Sequence, residues 1–374
     1  MNLEKNTRIP LCNPILDKEM KAAALNALET EPFVLGEEVY KFEEEFAHYC
    51  GVKYGVSTNS GTVALQFSLI ALGIEGKESH VITTPLSFIA TANAIVHANS
   101  TPVFADIEAK TFCISTNQIS KRISPAVKAI IPVHLYGYPA DMQEITEISE
   151  DHDIKVVEDA CQAHGAEYKG LKTGGIGDIG CFSFYPSKNM TVGGDGGMVV
   201  TNDEEIAQQV SKLRDCGRKS KYEHDIIGYT ARLNTVNAAI GRVQLRRIDK
   251  WNGERRRKAA LYDSLLADLN GVMLPPSGDS QIKPVYHVYV IRARKREELK
   301  RWLENFGIYC GVHYPLPIHL QPIYKKLFGF KEGEYPQSEL VSQNCLSIPL
   351  YPDLSDDKIE CISNKIREFY ENSK

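Results

Sequence analysis

Short apolar runs alternate with amphipathic stretches along the first half of the chain. YGVST, HVITT, TPVFAD, KAIIPVHLYG, KVVEDA, GCFSFYP and GMVVTND are each rich in Val, Ile or Phe and bounded by turn residues, which predicts strands. Helical spacing predicts helices over Lys18–Leu28, Val39–Tyr49, Thr62–Leu72, Phe88–His97 and Asp141–Asp151. Strands that alternate with helices imply an α/β fold: a mostly parallel sheet with helices on both faces. GCFSFYP and GMVVTND lie close enough to form a hairpin, which would make the sheet mixed.

The period changes further on. From about Leu233 to Leu269 the pattern reads as one long linking helix, with Ala239, Val243, Leu245, Ile248 and Trp251 as its apolar stripe. Pro275-Pro276 ends it. A strand (PVYHVYVIRA), a helix (Glu297–Phe306) and a last helix (Ser355–Tyr370) follow, which suggests a smaller α+β domain. The expected division is residues 1–240 for the large domain and 241–374 for the small one.

Candidate chemistry gathers where strands end. In YGVSTNSGTVAL a strand leads through Asn59-Ser60-Gly61-Thr62 into a helix. Free N–H groups at such a start hold phosphate, although Ser and Thr also serve as ordinary caps there. Phe88 follows HVITTPLS and suits either ring stacking or the core. In KVVEDACQAHGA, Glu158 and Asp159 fall at a strand's C-terminal end, where open α/β sheets bind ligands. Asp159 suits a cationic ligand atom as well as a helix cap, and Gln162 lies one turn on. Lys188, in SFYPSKNM, sits between a Phe-rich strand and the Gly193-Gly194-Asp195-Gly196-Gly197 segment. A lysine becomes a Schiff-base nucleophile when burial lowers its pKa; otherwise it is a loop lysine reaching solvent. The glycines match neither GxGxxG nor GxxxxGKS, and the spacing from Ser183 is not Ser-x-x-Lys. Taken together, an anion site, a stacking aromatic, a strand-end Asp and a strand-end Lys are the parts pyridoxal 5′-phosphate (PLP) needs.

Composition narrows the classes. The 374 residues are 43% hydrophobic, with a net charge of −5, which argues against general nucleic-acid affinity. The run GRVQLRRIDKWNGERRRKAAL is basic, but its helical period suits a solvated face or a subunit interface better than a nucleic-acid site. Nine scattered cysteines without a CxxC favour neither a disulfide framework nor a zinc ribbon; no metal is expected. The polar MNLEKNTRIPLCNP lacks the apolar core of a signal peptide, and no apolar run approaches the roughly 18–20 residues of a membrane span. A soluble cytoplasmic protein is expected.

Across nearly its whole length the chain resembles the DegT-type sugar-nucleotide aminotransferases, PLP enzymes of the aspartate-aminotransferase fold (fold type I). The resemblance runs from FVLGEEVYKFEEEFAHYCGVKYGVSTNSGTVAL through TTPLSFIATANAI, VEDACQAHGA and SFYPSKNMTVGGDGGMVVTND to HYPLPIHLQPIY. It implies a seven-stranded sheet in the large domain. It also implies that Lys188 binds the cofactor as a Schiff base and moves the proton. Asp159 would pair with the pyridine nitrogen, Phe88 stack on the ring and Gln162 pack beside it. Gly61, Thr62 and Ser183 would contact the phosphate. Some relatives carry His at the lysine position and dehydrate; Lys188 favours transamination.

The family commonly has Gly-Tyr-Asn-x-Arg-Leu, whose Asn reaches the phosphate of the partner subunit in a homodimer. Here the segment is Gly228-Tyr229-Thr230-Ala231-Arg232-Leu233. Thr230 keeps a shorter donor, and Asn234 is an alternative. The resemblance further implies glutamate as amino donor and a nucleotide-linked keto-sugar as acceptor, with His313, Tyr314 and His319 of VHYPLPIHLQP near the sugar. Seven residues separate Lys188 from Gly196-Gly197, a spacing that resembles relatives acting on 3-keto sugars; 4-keto sugars are the alternative. A PLP-binding regulatory protein without turnover is the competing class.

Overall fold

The computed structural model describes residues 8–372; the first seven residues, part of the polar segment in which no signal peptide was expected, and the last two lie outside them. In chain order the first strands are β1 (Tyr54–Thr58), β2 (His80–Thr83), β3 (Thr101–Phe104), β4 (Val127–Ile131) and β5 (Lys155–Asp159). A short hairpin, β6 (Glu167–Tyr168) and β7 (Leu171–Lys172), precedes β8 (Ile179–Ser183) and β9 (Gly197–Thr201). The main sheet has seven strands in the order β1-β9-β8-β5-β4-β2-β3. β5, β4, β2 and β3 run parallel with β8, and β9 is antiparallel to both its neighbours. The hairpin expected from GCFSFYP and GMVVTND is therefore β8–β9.

The sheet is buried on both faces, and the period-2 alternation of side chains divides two cores. Ile179, Cys181 and Val199 point to one face, where the helices Gly61–Ala71 and Glu204–Arg214 supply Leu65, Phe67, Val210 and Leu213. Phe182, Met198 and Val200 point to the other, against Val39, Phe42 and Phe46. Those last three lie on α2 (Glu37–Cys50), which follows α1 (Lys18–Thr30); α3 spans Gly61–Ala71 and α4 Ala90–His97. All five helices predicted before residue 160 are present within a few residues, the fifth as Met142–His152.

The long helix expected over 233–269 is two helices, Thr235–Leu245 and Ile248–Leu266. The first packs on α1 and α2, the second on the C-terminal helix Asp356–Glu371. At the joint, Arg246 and Arg247 reach back to Glu19 and Asp17 at the start of α1. Two packing partners in different parts of the molecule override an unbroken period.

The second part of the chain builds its own core. β10 (Val272–Met273), β11 (Ile282–Lys283), β12 (Tyr289–Ala293) and β13 (Cys345–Ile348) follow, with β10-β12-β13 as a sheet and β11 joined to β6. Tyr262, Tyr289, Leu299, Leu346 and Ile362 pack together, and Ile9 joins them. The strand expected in PVYHVYVIRA starts only at Tyr289. Before it, the N–H groups of Val285 and His287 bond to Gly137 O and Tyr136 O at 2.9 and 2.8 Å. These bonds tie the segment to the loop after β4 and carry His287 towards the sheet's C-terminal edge. No described helix is long and apolar enough to cross a membrane.

Candidate active site

The C-terminal ends of β5 and β8 and the start of α3 converge on a cavity of about 460 Å³. At its base, Ser60 caps α3, its hydroxyl accepting from Val63 N at 3.3 Å. The N–H groups of Gly61 and Thr62 stay outside the helix ladder, as first-turn amides do. Gly61 is required by packing: a Cβ there would stand 2.7 Å from Ser183 Cβ and 2.8 Å from Cys161 Sγ. Helix start and strand end thus approach closely enough for Thr62 and Ser183 to share one cavity.

The two acids of KVVEDA part company. Glu158 points beneath the sheet and is fully buried. It accepts from His134 Nε2 at 2.9 Å and from the N–H groups of Gly174, Ile176 and Gly177 at 2.7 Å each, so it organises the loop before β8. Asp159 points into the cavity. Its Oδ2 accepts from Thr91 Oγ1 at 2.7 Å, and its Oδ1 from Cys161 N at 3.2 Å. A carboxylate only accepts, so Thr91 donates to it and is free to accept from Ser87 Oγ, 2.8 Å away. Thr91 is itself buried, on α4.

Lys188 is half-buried on the cavity wall, and its Nζ forms no hydrogen bond or ion pair with a described residue. Burial lowers its pKa from the usual lysine value; Cys161 and Asp159 oppose the shift. Asn189, next in sequence, donates to Asn252 Oδ1 at 2.8 Å and Val285 O at 2.9 Å, which fixes the lysine's loop to the second part of the chain. Across the cavity, Phe88 leaves 53% of its surface open and lies 5.9 Å from Tyr314, ring centre to ring centre. Gln162 bridges the walls: its Oε1 accepts from Tyr136 N at 3.0 Å and its Nε2 donates to Tyr314 OH at 3.3 Å. His313 lies beside them, Nδ1 at 2.8 Å from Ser347 Oγ; burial, then Lys188, pushes its pKa down to about 4.

A model of the family described as "DegT/DnrJ/EryC1/StrS aminotransferase family" matches residues 14–367. The chain belongs to this aminotransferase family. It is 41% identical to a "Pleiotropic regulatory protein" of Geobacillus stearothermophilus, over 95% of each chain. It is 39% identical to a dTDP-3-amino-3,4,6-trideoxy-alpha-D-glucose transaminase of Streptomyces venezuelae, over 95% of this chain and 93% of that one. Its structure superimposes on S. venezuelae DesV, solved in complex with a ketimine intermediate, with a TM-score of 0.93 and 38% identity over 98% and 99% of the chains. The fold is that of the PLP-dependent aminotransferases, and PLP is the family's cofactor.

The residues of this aminotransferase fit that group. Open amides at the start of α3, with the Thr62 and Ser183 hydroxyls, suit a phosphate. The exposed Phe88 ring offers a stacking face. Asp159 is a fixed acceptor, and Lys188 is an amine without a partner and with a lowered pKa. The cavity thus brings together Gly61, Thr62, Phe88, Asp159, Gln162, Ser183, Lys188, His313 and Tyr314.

Three expected residues lie elsewhere. Thr230 is exposed, 3.4 Å from Cys216 Sγ, and Asn234 is exposed at the cap of the helix Thr235–Leu245. Neither lines this chain's own cavity. His319 is fully buried under a different wall, its Nε2 at 3.0 Å from Glu339 Oε1 and its ring 4.7 Å from Tyr335. Glu339 holds Nε2, Nδ1 is buried without a partner, and His319 is not among the residues that line this cavity.

Thr91, Cys161 and His287 line the cavity without having been singled out from the sequence. A larger surface depression of about 830 Å³ beside Ile206, Ile227 and Tyr229 has no lysine, cysteine or histidine among its described lining residues. Volume alone does not locate the chemistry.

Proposed function

We propose that this aminotransferase moves an amino group from glutamate to a nucleotide-linked 3-keto-deoxysugar. One observation carries it: an unpaired, half-buried Lys188 shares a cavity with Asp159, Phe88 and the open start of α3. The sugar-nucleotide substrate class rests on the S. venezuelae transaminase relative, whose product name carries a 3-amino sugar. The seven residues between Lys188 and Gly196-Gly197 support the 3-keto choice over the 4-keto one.

When bound, PLP supplies an electron sink for the carbanion formed at the donor's α-carbon. The chain supplies the rest. Lys188, with its lowered pKa, is the nucleophile that holds the cofactor and then the base that takes and returns the α-proton. Asp159, held by Thr91 and the Cys161 amide, keeps an acceptor in place for the ring-nitrogen proton. Gln162 and Tyr314 close the far wall, and His313 and Tyr314 face the sugar. A division near residue 240 belongs to the same proposal: the cofactor side of the cavity comes from before it, and His287, His313 and Tyr314 from after it. So does a homodimer, in which exposed Thr230 or Asn234 reaches the partner's phosphate. Ile227, 92% exposed, and Tyr222, 85% exposed, offer apolar surface beside that segment. The enzyme would work in the cytoplasm.

A panel of nucleotide-linked 3-keto and 4-keto sugars, each incubated with glutamate and resolved by mass, tests the assignment. Amination of 3-keto sugars is expected. Amination of 4-keto sugars alone overturns the regiochemistry. The regulatory name of the 41% identical relative gives the second reading, a PLP-binding protein without turnover. It requires that glutamate leave the cofactor's absorbance unchanged; conversion to the pyridoxamine form excludes it.

A further inference from the structure

His287 lines the cavity, yet no step above uses it. Its backbone is held on both sides: its N–H donates to Tyr136 O at 2.8 Å, and its carbonyl accepts from Arg255 at 3.3 Å. The ring has no such anchor. Nδ1 is buried without a hydrogen-bond partner, and Nε2, also unbonded, is the nitrogen left open to the cavity. A buried N–H without an acceptor is costly, so the proton belongs on Nε2, facing the cavity. Burial, then Lys188, Arg255, His313 and His164, holds the pKa of His287 well below its usual value, and the ring is neutral. His287 is therefore an uncharged hydrogen-bond donor carried on a fixed stretch of backbone.

The cavity also lacks a second cation. No arginine lines it, and Lys188 carries its one amine among the described lining residues. A transaminase site that serves the proposed pair of substrates takes, in turn, an anionic amino acid and an uncharged sugar ring. A buried arginine would suit the first and stand unpaired against the second, and an uncompensated buried charge is costly. A neutral N–H suits both, because carboxylate and hydroxyl oxygens each accept it. We propose that His287 is a substrate-specificity residue whose Nε2–H binds the oxygen next to the reacting carbon. That oxygen is the α-carboxylate in the amino donor and the neighbouring hydroxyl in the keto-sugar. The inference rests on the proposed function for both halves, the glutamate donor and the keto-sugar.

The geometry gives a paired test in the PLP-loaded enzyme. Gln at this position reaches with its amide to about where Nε2 lies; Asn reaches only to about Nδ1. His287→Gln, His287→Asn and His287→Phe are compared by spectral titration with α-methylglutamate, a donor that binds but has no α-proton to lose. They are then compared by the KM of the sugar half-reaction. Asn and Phe variants are expected to bind both ligands about 10- to 100-fold more weakly, and the Gln variant within about threefold of the parent. PLP loading and melting temperature should stay with the parent in the Gln and Asn variants. Equal binding by the Asn and Gln variants overturns the proposal, as does weaker ligand binding that only tracks a loss of PLP loading. Should the Phe variant not fold, the Gln–Asn comparison still decides. If the parent aminates no sugar nucleotide, the proposed substrate fails while the α-methylglutamate arm still tests His287.

Discussion

Asp159 shows how a single side chain receives its task. Its neighbour Glu158 has the same charge and lies on the same strand, but the alternation of the strand sends it under the sheet to His134 and a ring of amides. Asp159 emerges on the cavity side, where a hydroxyl chain from Ser87 through Thr91 fixes it. Thr91→Val removes the donor at nearly constant volume. A lost hydrogen bond to a charged group costs about 1.5–3 kcal/mol, so PLP affinity, read by fluorescence titration, should fall about 10- to 100-fold. Thr91→Ser should restore most of it. Equal affinity in the Val variant would show that Asp159 needs no hydroxyl to hold it. Lys188 and Asp159 were legible in the sequence because strand ends are marked by turn residues and their chemistry is distinctive. Thr91 and His287 were not: each looks like one more position in an apolar helix or strand, and its role is set by what lies opposite in space. His319 shows the converse: a His in a Pro-rich loop looks available, but Glu339 lies beside it and it is not among the cavity's lining residues.

Among elements, α3 carries the proposed phosphate site at its start, where Gly61 packs against Ser183 of β8. Gly61→Ala puts a methyl 2.7 Å from Ser183 Cβ. Overpacking of this kind costs about 1–3 kcal/mol. The expected result is a lower melting temperature together with weaker binding of PLP and of inorganic phosphate. A variant that binds phosphate like the parent would remove the start of α3 from the anion site. The seven strands were readable because each is a short run rich in apolar residues between turn residues, and the central β8 and β9 are buried almost throughout. The joint at Arg246–Arg247 was not, since no Gly or Pro marks it and the apolar period continues across it. β6, β7 and β11 have two residues each, too few to show any period.

Across the whole molecule, both parts of the chain bury an imidazole near Lys188. His164 is fully buried among Phe46, Phe182 and Phe184, and its pKa is pushed down to about 3, first by burial and then by Lys188. His313 is lowered to about 4. Both are depressed below the unfolded value of about 6.5, so between these limits the unfolded chain binds more protons than the folded one. Stability is then full above about pH 6.5 and is lost as pH falls towards 4 and 3. Melting temperature of the cofactor-free protein should drop across that window, and His164→Leu should flatten the drop. A profile unchanged by the substitution would mean that the buried imidazole does not govern acid sensitivity.

The central claim is that the amine of Lys188 holds PLP. Borohydride reduction of the purified, PLP-loaded protein, followed by peptide mass mapping, tests it most directly. The account predicts that the yellow colour is lost and that the cofactor is found fixed to the peptide carrying Lys188, with no label in Lys188→Ala. A label on another lysine, or a protein that takes up no PLP, would contradict it.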